Sequence, residues 1–470
     1  MPLIDSLATT APLAELFSDQ SILEAMLSFE VALARVQARA GIIPEAAANA
    51  IAIAARPANF DTEALSRDAL RAGTPGIPLV KALTERVRAG NPAAAGYLHW
   101  GATSQDVADT ALVLVLKRAQ TILELDLARL EEVLRCLTVQ HADTVMLGRT
   151  LLQAAPPITF GLKAAGWLGA IQRSRTRLNA SFAEALVLQF GGASGTLAAL
   201  GSRGLEIAQA LAKELGLTCP DAPWHTHRDR LAALMGVCGV QTGTLGKIAR
   251  DISLLMQEEI AEAAEPAAPG RGGSSTMPHK RNPIGCALTL AAAHRVPGLV
   301  ATFLAAMVQE HERAAGGWQA EWPTVAGIIQ TTGLAASSMA ETLEGLTVNP
   351  TRMRANIDAT NGVIFAERAM MLLASSLGRD VAHKLLEEAT RKCAEEKRRL
   401  REVLAEMPEV TRLLDRATLQ NLEAPEEYLG VADAFRSRLL SSQKRHDLQN
   451  NDPQDRDPQN HDRRNKDEKE

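Results

Sequence analysis

The sequence predicts an all-α protein built on long helices, and three observations carry that prediction. Apolar residues make up 46% of the 470 but aromatics only 3%, and the apolar share is mostly Ala and Leu, which favour helix. The stretch Ala102 to Leu147 contains neither Gly nor Pro and keeps helical periodicity through ALVLVLKRAQTILELDLARLEEVLRCL, a run too long for a small domain and suited to a bundle or coiled coil. Three further helical runs follow, Pro157 to Leu188, Arg228 to Ala264 and Ile284 to Arg313, each bounded by Gly or Pro.

In chain order, Ser21 to Ala40 reads as a helix with a Ser21–Glu24 capping box. Its apolar face is Ile22, Met26, Phe29, Leu33 and Val36, and Gly41 closes it. Gly161, Gly166, Gly169, Gly236, Gly239, Gly243 and Gly246 lie inside the long runs, where small residues allow close helix approach. A third region begins near Asn349-Pro350 and holds a charged helix around Asp380 to Glu406. After Leu440 the chain has a single large apolar residue, Leu448, so residues 441–470 are expected to form a disordered polar tail.

Composition narrows function. A net charge of −5 implies no basic face, so nucleic acid is not an expected partner. The five cysteines are scattered and form no CxxC, which fits reduced cytosolic thiols. The start MPLIDSLATTAPLAELF has no basic region before a long apolar run, so no signal peptide is expected. No segment reads as long and apolar enough to span a membrane, and the expected location is cytoplasmic.

The chemistry concentrates in Pro269 to Pro283, PGRGGSSTMPHKRNP, a Gly-rich polar segment between two helical runs. Its backbone amides, the Ser274 and Ser275 hydroxyls, Lys280, Arg281 and Asn282 suit a flap closing over a carboxylate-bearing substrate. The order of a Walker-type phosphate loop is absent.

GSSTMPHKRNP resembles the GSSxMPxKxNP signature of the fumarase/aspartase superfamily. Two more segments fit. His99-Trp-Gly-Ala-Thr-Ser-Gln-Asp106 resembles the family's first region, whose Thr-Ser pair maps to Thr103 and Ser104, and Gly148-Arg-Thr-Leu-Leu-Gln153 resembles the second. The resemblance runs from about Phe17 to Leu440. It implies three helical domains with a long-helix central bundle, placed at 1–105, 106–345 and 346–440. It also implies a homotetramer with active sites shared between subunits, a small polycarboxylate substrate, and no cofactor or metal. By the same resemblance Ser274 and Lys280 are catalytic, either one carrying the proton, and Thr103, Ser104, Thr150, Gln153, Met277, Asn282 and Arg313 bind substrate.

Departures from the pattern select among the family's reactions. Many members read Thr-His-x-Gln in the second region; this chain has Thr150-Leu151-Leu152-Gln153, and leucine carries no proton. A second histidine used by adenylosuccinate lyases has no counterpart in Arg71 to Val80, and Trp322 stands where those lyases place a phosphate-binding arginine. A lyase expelling an amine gains from a general acid, whereas a carboxylate leaves or attacks without one near neutral pH. The losses therefore point to the family's lactone-forming cycloisomerases, acting on a tricarboxylate in aromatic breakdown. A C–N lyase is the alternative. A non-catalytic scaffold protein is a third reading, against which the intact Ser274, Lys280 and Asn282 argue. His99 either touches substrate or packs, His225 and His227 form an HxH pair suited to a surface or interface or to a metal, and Arg313 binds a carboxylate or makes a helix-end ion pair.

Overall fold

The structure is a computed structural model that describes residues 3–267, 272–273, 276–277 and 279–450, with side chains described to Ser441. Among the described residues it is helical apart from two small antiparallel pairs, β1 (Val145–Thr150) with β2 (Gln153–Thr159), and β3 (Ala263–Ala264) with β4 (Thr347–Val348), and an isolated parallel bridge between Val187 and Thr218. Contacts divide the chain into two compact units. The first is Met1–Leu130, Arg173–Arg250 and Ile284–Thr342; the second is Glu131–Gln172, Asp251–Pro283 and Leu343–Glu470. Four of the five divisions fall inside the helices Ser104–Gln140, Phe160–Ala185, Asp229–Leu255 and Gly317–Glu344, and the fifth falls just before the helix Ile284–Ala306.

In the first unit the helix Asp19–Arg39 buries Met26, Phe29, Leu33 and Val36, as their spacing predicts. Its cap corrects the sequence reading: the Ser18 hydroxyl accepts from the Ser21 amide at 3.3 Å, so the helix starts before the expected Ser21–Glu24 box. Ser21 itself is buried and receives a bond from Arg118 Nη1. The helix Ser104–Gln140 spans 37 residues, about 55 Å at 1.5 Å per residue. Within this unit it buries Val107, Ala111, Leu112, Val115, Leu116, Ala119 and Leu123.

The run predicted as helical from Ala102 to Leu147 ends at Gln140, and Val145–Thr150 is a strand of the second unit. Its partner strand holds Pro156 and Pro157, which a helix interior would reject. The register shifts between Leu147 and Gly148, where a Cβ on Gly148 would stand 2.4 Å from the Pro156 carbonyl oxygen. The turn is Leu151-Leu152 at φ +49° and +65°, the left-handed conformation normally given to Asn-Gly. Both leucines are exposed, Leu151 at 97%. Next to the turn the hairpin is clamped by Arg149, which donates to both oxygens of buried Glu262 at 2.9 and 2.7 Å. Asn356 Nδ2 adds a third bond to the same carboxylate.

The charged run around Asp380 to Glu406 divides into helices Arg379–Glu396 and Leu400–Ala405, separated by Lys397 at φ +53°. Phe365, Leu373, Leu386, Leu400, Leu404 and Val410 form the core there with Val145 and Leu147. The last helix, Ala432–Asn450, continues past Leu440, where the composition predicts the tail to begin; residues 451–470 lie outside the described ones.

One further expectation is corrected. Helices Asp229–Leu255 and Ile284–Ala306 are long and apolar enough, by length and composition, to cross a membrane. Their hydropathy comes from Ala, Val, Leu and Ile spread among Gly and polar residues, so no unbroken apolar block marks them in the sequence. The Ile284–Ala306 helix buries Cys286, Thr289, Ala292, Val296 and Phe303, a stripe three to seven residues apart.

Candidate active site

Thr103 and Ser104, expected to bind carboxylate, sit at the start of the Ser104–Gln140 helix in the first unit. The first four amides of a helix lack intrahelical partners, and the helix dipole adds positive potential there. Arg313, in the loop before the helix Gly317–Glu344, reaches both hydroxyls: Nη1 donates to Thr103 Oγ1 at 2.5 Å and Nη2 to Ser104 Oγ at 3.2 Å. It makes no ion pair among the described residues, so of the two readings the helix-end pair is not seen. Gly76, opening the helix Gly76–Gly90, lies so close that a Cβ there would stand 2.8 Å from the Ser104 carbonyl oxygen. A half-buried guanidinium, two hydroxyls and a long helix's N-terminus thus form a cradle for an anion.

Beneath the cradle lies a charged network that the sequence reading did not identify. Asp106 is fully buried and takes the Thr103 amide at 3.0 Å, the Gly191 amide at 3.0 Å and the Gly192 amide at 2.9 Å. Gln189 Nε2 and His225 Nε2 also reach it, at 3.1 and 2.8 Å. Asp109, one turn on, is held bidentately by Arg228 at 2.7 and 3.0 Å, by Trp318 Nε1 at 2.9 Å and by Gln105 Nε2 at 3.1 Å. Arg228 also donates to Glu321, through Nε at 3.0 Å and Nη2 at 2.6 Å, and stacks 4.6 Å over the Trp224 ring. Arg228, Asp109 and Glu321 are all fully buried.

Burial opposes the Arg228 charge, but the Asp109 and Glu321 carboxylates outweigh it and hold the guanidinium's pKa above its ordinary value. Burial raises the Glu321 pKa, with Asp109 adding to the rise and Arg228 opposing it. The sequence signal for this network was present: Asp106 and Asp109 interrupt an otherwise apolar helix face, and a charge on a buried stripe requires a partner.

The HxH pair separates. His225 is buried against Asp106, while His227 is exposed. No group of three or more potential metal-ligating residues occurs among the described residues. His99 pairs through Nδ1 with Glu30 at 2.6 Å. Trp318 packs inside with its indole N–H on Asp109, rather than lining an open surface.

The remaining expected residues belong to the second unit. Thr150 and Gln153 pair across the β1–β2 turn, flanking Leu151-Leu152. Met277 and Lys280 are exposed, with the Lys280 amide on the Met277 carbonyl at 3.0 Å. The Asn282 amide donates to the Gly272 carbonyl at 2.9 Å. A Cβ on Gly272, itself at φ +65°, would meet the Asn282 carbonyl oxygen at 2.5 Å, so this close crossing needs glycine. Ser274 and Ser275 lie outside the described residues.

The long-helix fold is that of fumarase/aspartase-type lyases, and the chain belongs to that family: the family described as Lyase matches residues 7–298, and Adenylosuccinate lyase C-terminus matches 362–439. Among its relatives, 3-carboxy-cis,cis-muconate cycloisomerase of Pseudomonas aeruginosa is 50% identical over 93% of this chain and 96% of its own. The crystal structure of 3-carboxy-cis,cis-muconate lactonizing enzyme from Pseudomonas putida superimposes with a TM-score of 0.89 at 47% identity, covering 94% of this chain and 99% of that one. Nitrosuccinate lyase of Streptomyces davaonensis is 43% identical over 94% and 95%.

Proposed function

We propose that this enzyme is a cycloisomerase that converts 3-carboxy-cis,cis-muconate to a carboxymuconolactone in the breakdown of protocatechuate. The observation that carries the reading is Leu151 at the place of the family's proton-donating histidine in a chain whose first unit holds the Arg313–Thr103–Ser104 anion cradle. Relatives bearing that activity at up to 50% identity support it. In the reaction one substrate carboxylate attacks a double bond intramolecularly, forming the lactone C–O bond. The π electrons move onto the carbon next to a second carboxylate, which becomes enediolate-like, and that carbon then takes a proton. The nucleophile is already ionised near neutral pH, so no general base or acid is needed at oxygen. Donors aimed at the enediolate oxygens lower the barrier; Thr103, Ser104, Arg313, Thr150, Gln153, Met277 and Asn282 form the binding set. Ser274 or Lys280 delivers the proton at carbon, and a serine in that role needs flap amides or the Lys280 ammonium to stabilise its alkoxide.

The sites are shared between subunits of a cytoplasmic homotetramer. The apolar Ile284–Ala306 helix supports an assembly of subunits, since it leaves both Leu304 and Ile284 exposed in the single chain. A second reading has its own support in the nitrosuccinate lyase relative. Nitrite, like a carboxylate, leaves without a proton, so Leu151 is compatible with that chemistry too. Assays on purified protein separate them: loss of the conjugated-diene absorbance of 3-carboxymuconate is expected. Nitrite release from nitrosuccinate, or AMP release from adenylosuccinate, without lactone formation would overturn the proposal.

A further inference from the structure

The turn leading into the cradle holds His99 at φ +57°, in the left-handed region that residues with a Cβ seldom enter. It is fixed on several sides. The Ala102 amide donates to the His99 carbonyl at 3.2 Å, and Gln37 Nε2 donates to the Trp100 carbonyl at 2.7 Å. Gly101, at φ +78°, lies directly on Leu200. Gln37 and Glu30 stand seven residues apart on the same helix face, so one buried stripe of polar residues supports the turn.

Glu30 has a fully buried side chain. Its Oε1 lies 2.6 Å from His99 Nδ1, and its Oε2 has no partner among the described residues. A buried carboxylate is costly unless a cation pairs with it, and His99 is its only ion-pair partner among the described residues. With Nδ1 turned to Glu30, the ring's second nitrogen has no hydrogen-bond partner among the described residues. That arrangement differs from a merely packed histidine, whose ring would be satisfied internally. It lies four residues before Thr103.

We propose that His99 is a second cationic recognition group of this site, in addition to Arg313, and that the Glu30–His99 pair sets the preference for a substrate bearing three carboxylates over one bearing two. The inference rests on reading the site as a polycarboxylate cradle. The charged groups facing the ring are Glu30, from the Asp19–Arg39 helix, and Asp106, from the first turn of the Ser104–Gln140 helix. Burial works against the imidazolium, but these two carboxylates overcome it and raise the pKa of His99 above its ordinary value. The imidazolium's contribution to binding is therefore complete at low pH and is lost as pH rises through that raised value.

The test uses the full-length protein, its E30Q variant and H99N. The His99 ring is titrated by NMR, and binding of propane-1,2,3-tricarboxylate and of succinate is measured by calorimetry between pH 6 and 9. A wild-type midpoint above the ordinary histidine value, lowered in E30Q, is expected. Tricarboxylate affinity should fall at least tenfold in both variants while succinate affinity changes less than twofold, and KM for the tricarboxylate substrate should rise with kcat little changed. A midpoint at or below the ordinary value overturns the pairing. An unchanged preference in a folded variant, or equal loss of both anions, overturns the recognition role. H99N keeps the test open if E30Q does not fold. Wild-type protein that binds neither anion contradicts the cradle itself, and the NMR titration still reports on the pair.

Discussion

Replacing Arg228 with Met is the perturbation whose magnitude the structure best defines. Arg228 makes five N–H···O contacts of 2.6 to 3.0 Å to Asp109 and Glu321, all three side chains fully buried. Removing one partner of a buried ion pair costs about 3–5 kcal/mol, because the other charge is left uncompensated. Here two carboxylates lose their cation, and the contact with Trp224 adds about 1 kcal/mol. A loss of about 4–6 kcal/mol, a thousandfold or more in the folding equilibrium, is expected by urea unfolding at pH 7.5. Glu321→Gln gives the contrast. The raised Glu321 pKa means that the folded state binds this proton more tightly than the unfolded chain does. Its ionisation therefore subtracts stability as pH rises from the ordinary carboxylate value through the raised one. The glutamine removes that subtraction and keeps a hydrogen-bonding oxygen, so E321Q should cost less than about 1 kcal/mol. R228M costing under about 1 kcal/mol, or E321Q costing as much as R228M, would refute this account of the network.

Arg313→Gln should raise KM at least tenfold and leave thermal unfolding nearly unchanged, since among the described residues Arg313 donates hydrogen bonds to two hydroxyls alone, at a half-buried position; steady-state kinetics beside calorimetry reads both. Replacing Leu151-Leu152 by Asn-Gly relieves two left-handed leucines and should stabilise the chain by about 1–2 kcal/mol in urea. A destabilised variant would show that the leucines are covered in the assembled enzyme. Ser274→Ala should lose most turnover while its circular dichroism is unchanged, and near-normal turnover would remove Ser274 from the mechanism.

What the sequence made legible follows from the range of the forces involved. Helix periodicity and glycine stops are local, and they place the Asp19–Arg39 stripe and the start of the Ile284–Ala306 helix. The hairpin at 145–159 was missed because its first strand, Val145 to Thr150, continues a helical apolar pattern; only pairing with Pro156 and Pro157 makes it a strand. Thr103, Ser104 and Arg313 were named from motifs, yet their meeting joins residues about 210 apart, which no periodicity encodes. The HxH spacing pointed to a shared role that the fold divides, His225 turning inward and His227 outward. Arg228, Asp109 and Glu321 lie in three separate segments, so their buried triad becomes visible only when the helices pack.

The surplus of acid beneath an anion site needs a physical account, since Asp106, Asp109 and Glu321 would repel a polycarboxylate if their charge reached it. Each is instead consumed by fixed donors: three backbone amides, Gln189 and His225 on Asp106, an indole, a guanidinium and Gln105 on Asp109, the same guanidinium and Gln309 on Glu321. Those donors are preorganised, so they screen the carboxylates without needing water in the site. The same bonds fix the first turn of the Ser104–Gln140 helix, because Asp106 takes the Thr103 amide. Arg313 is thereby left with hydroxyl partners alone, its charge uncancelled by any described carboxylate and available to the substrate. The buried acids thus orient the cradle while the cation above them keeps its attraction for an anion.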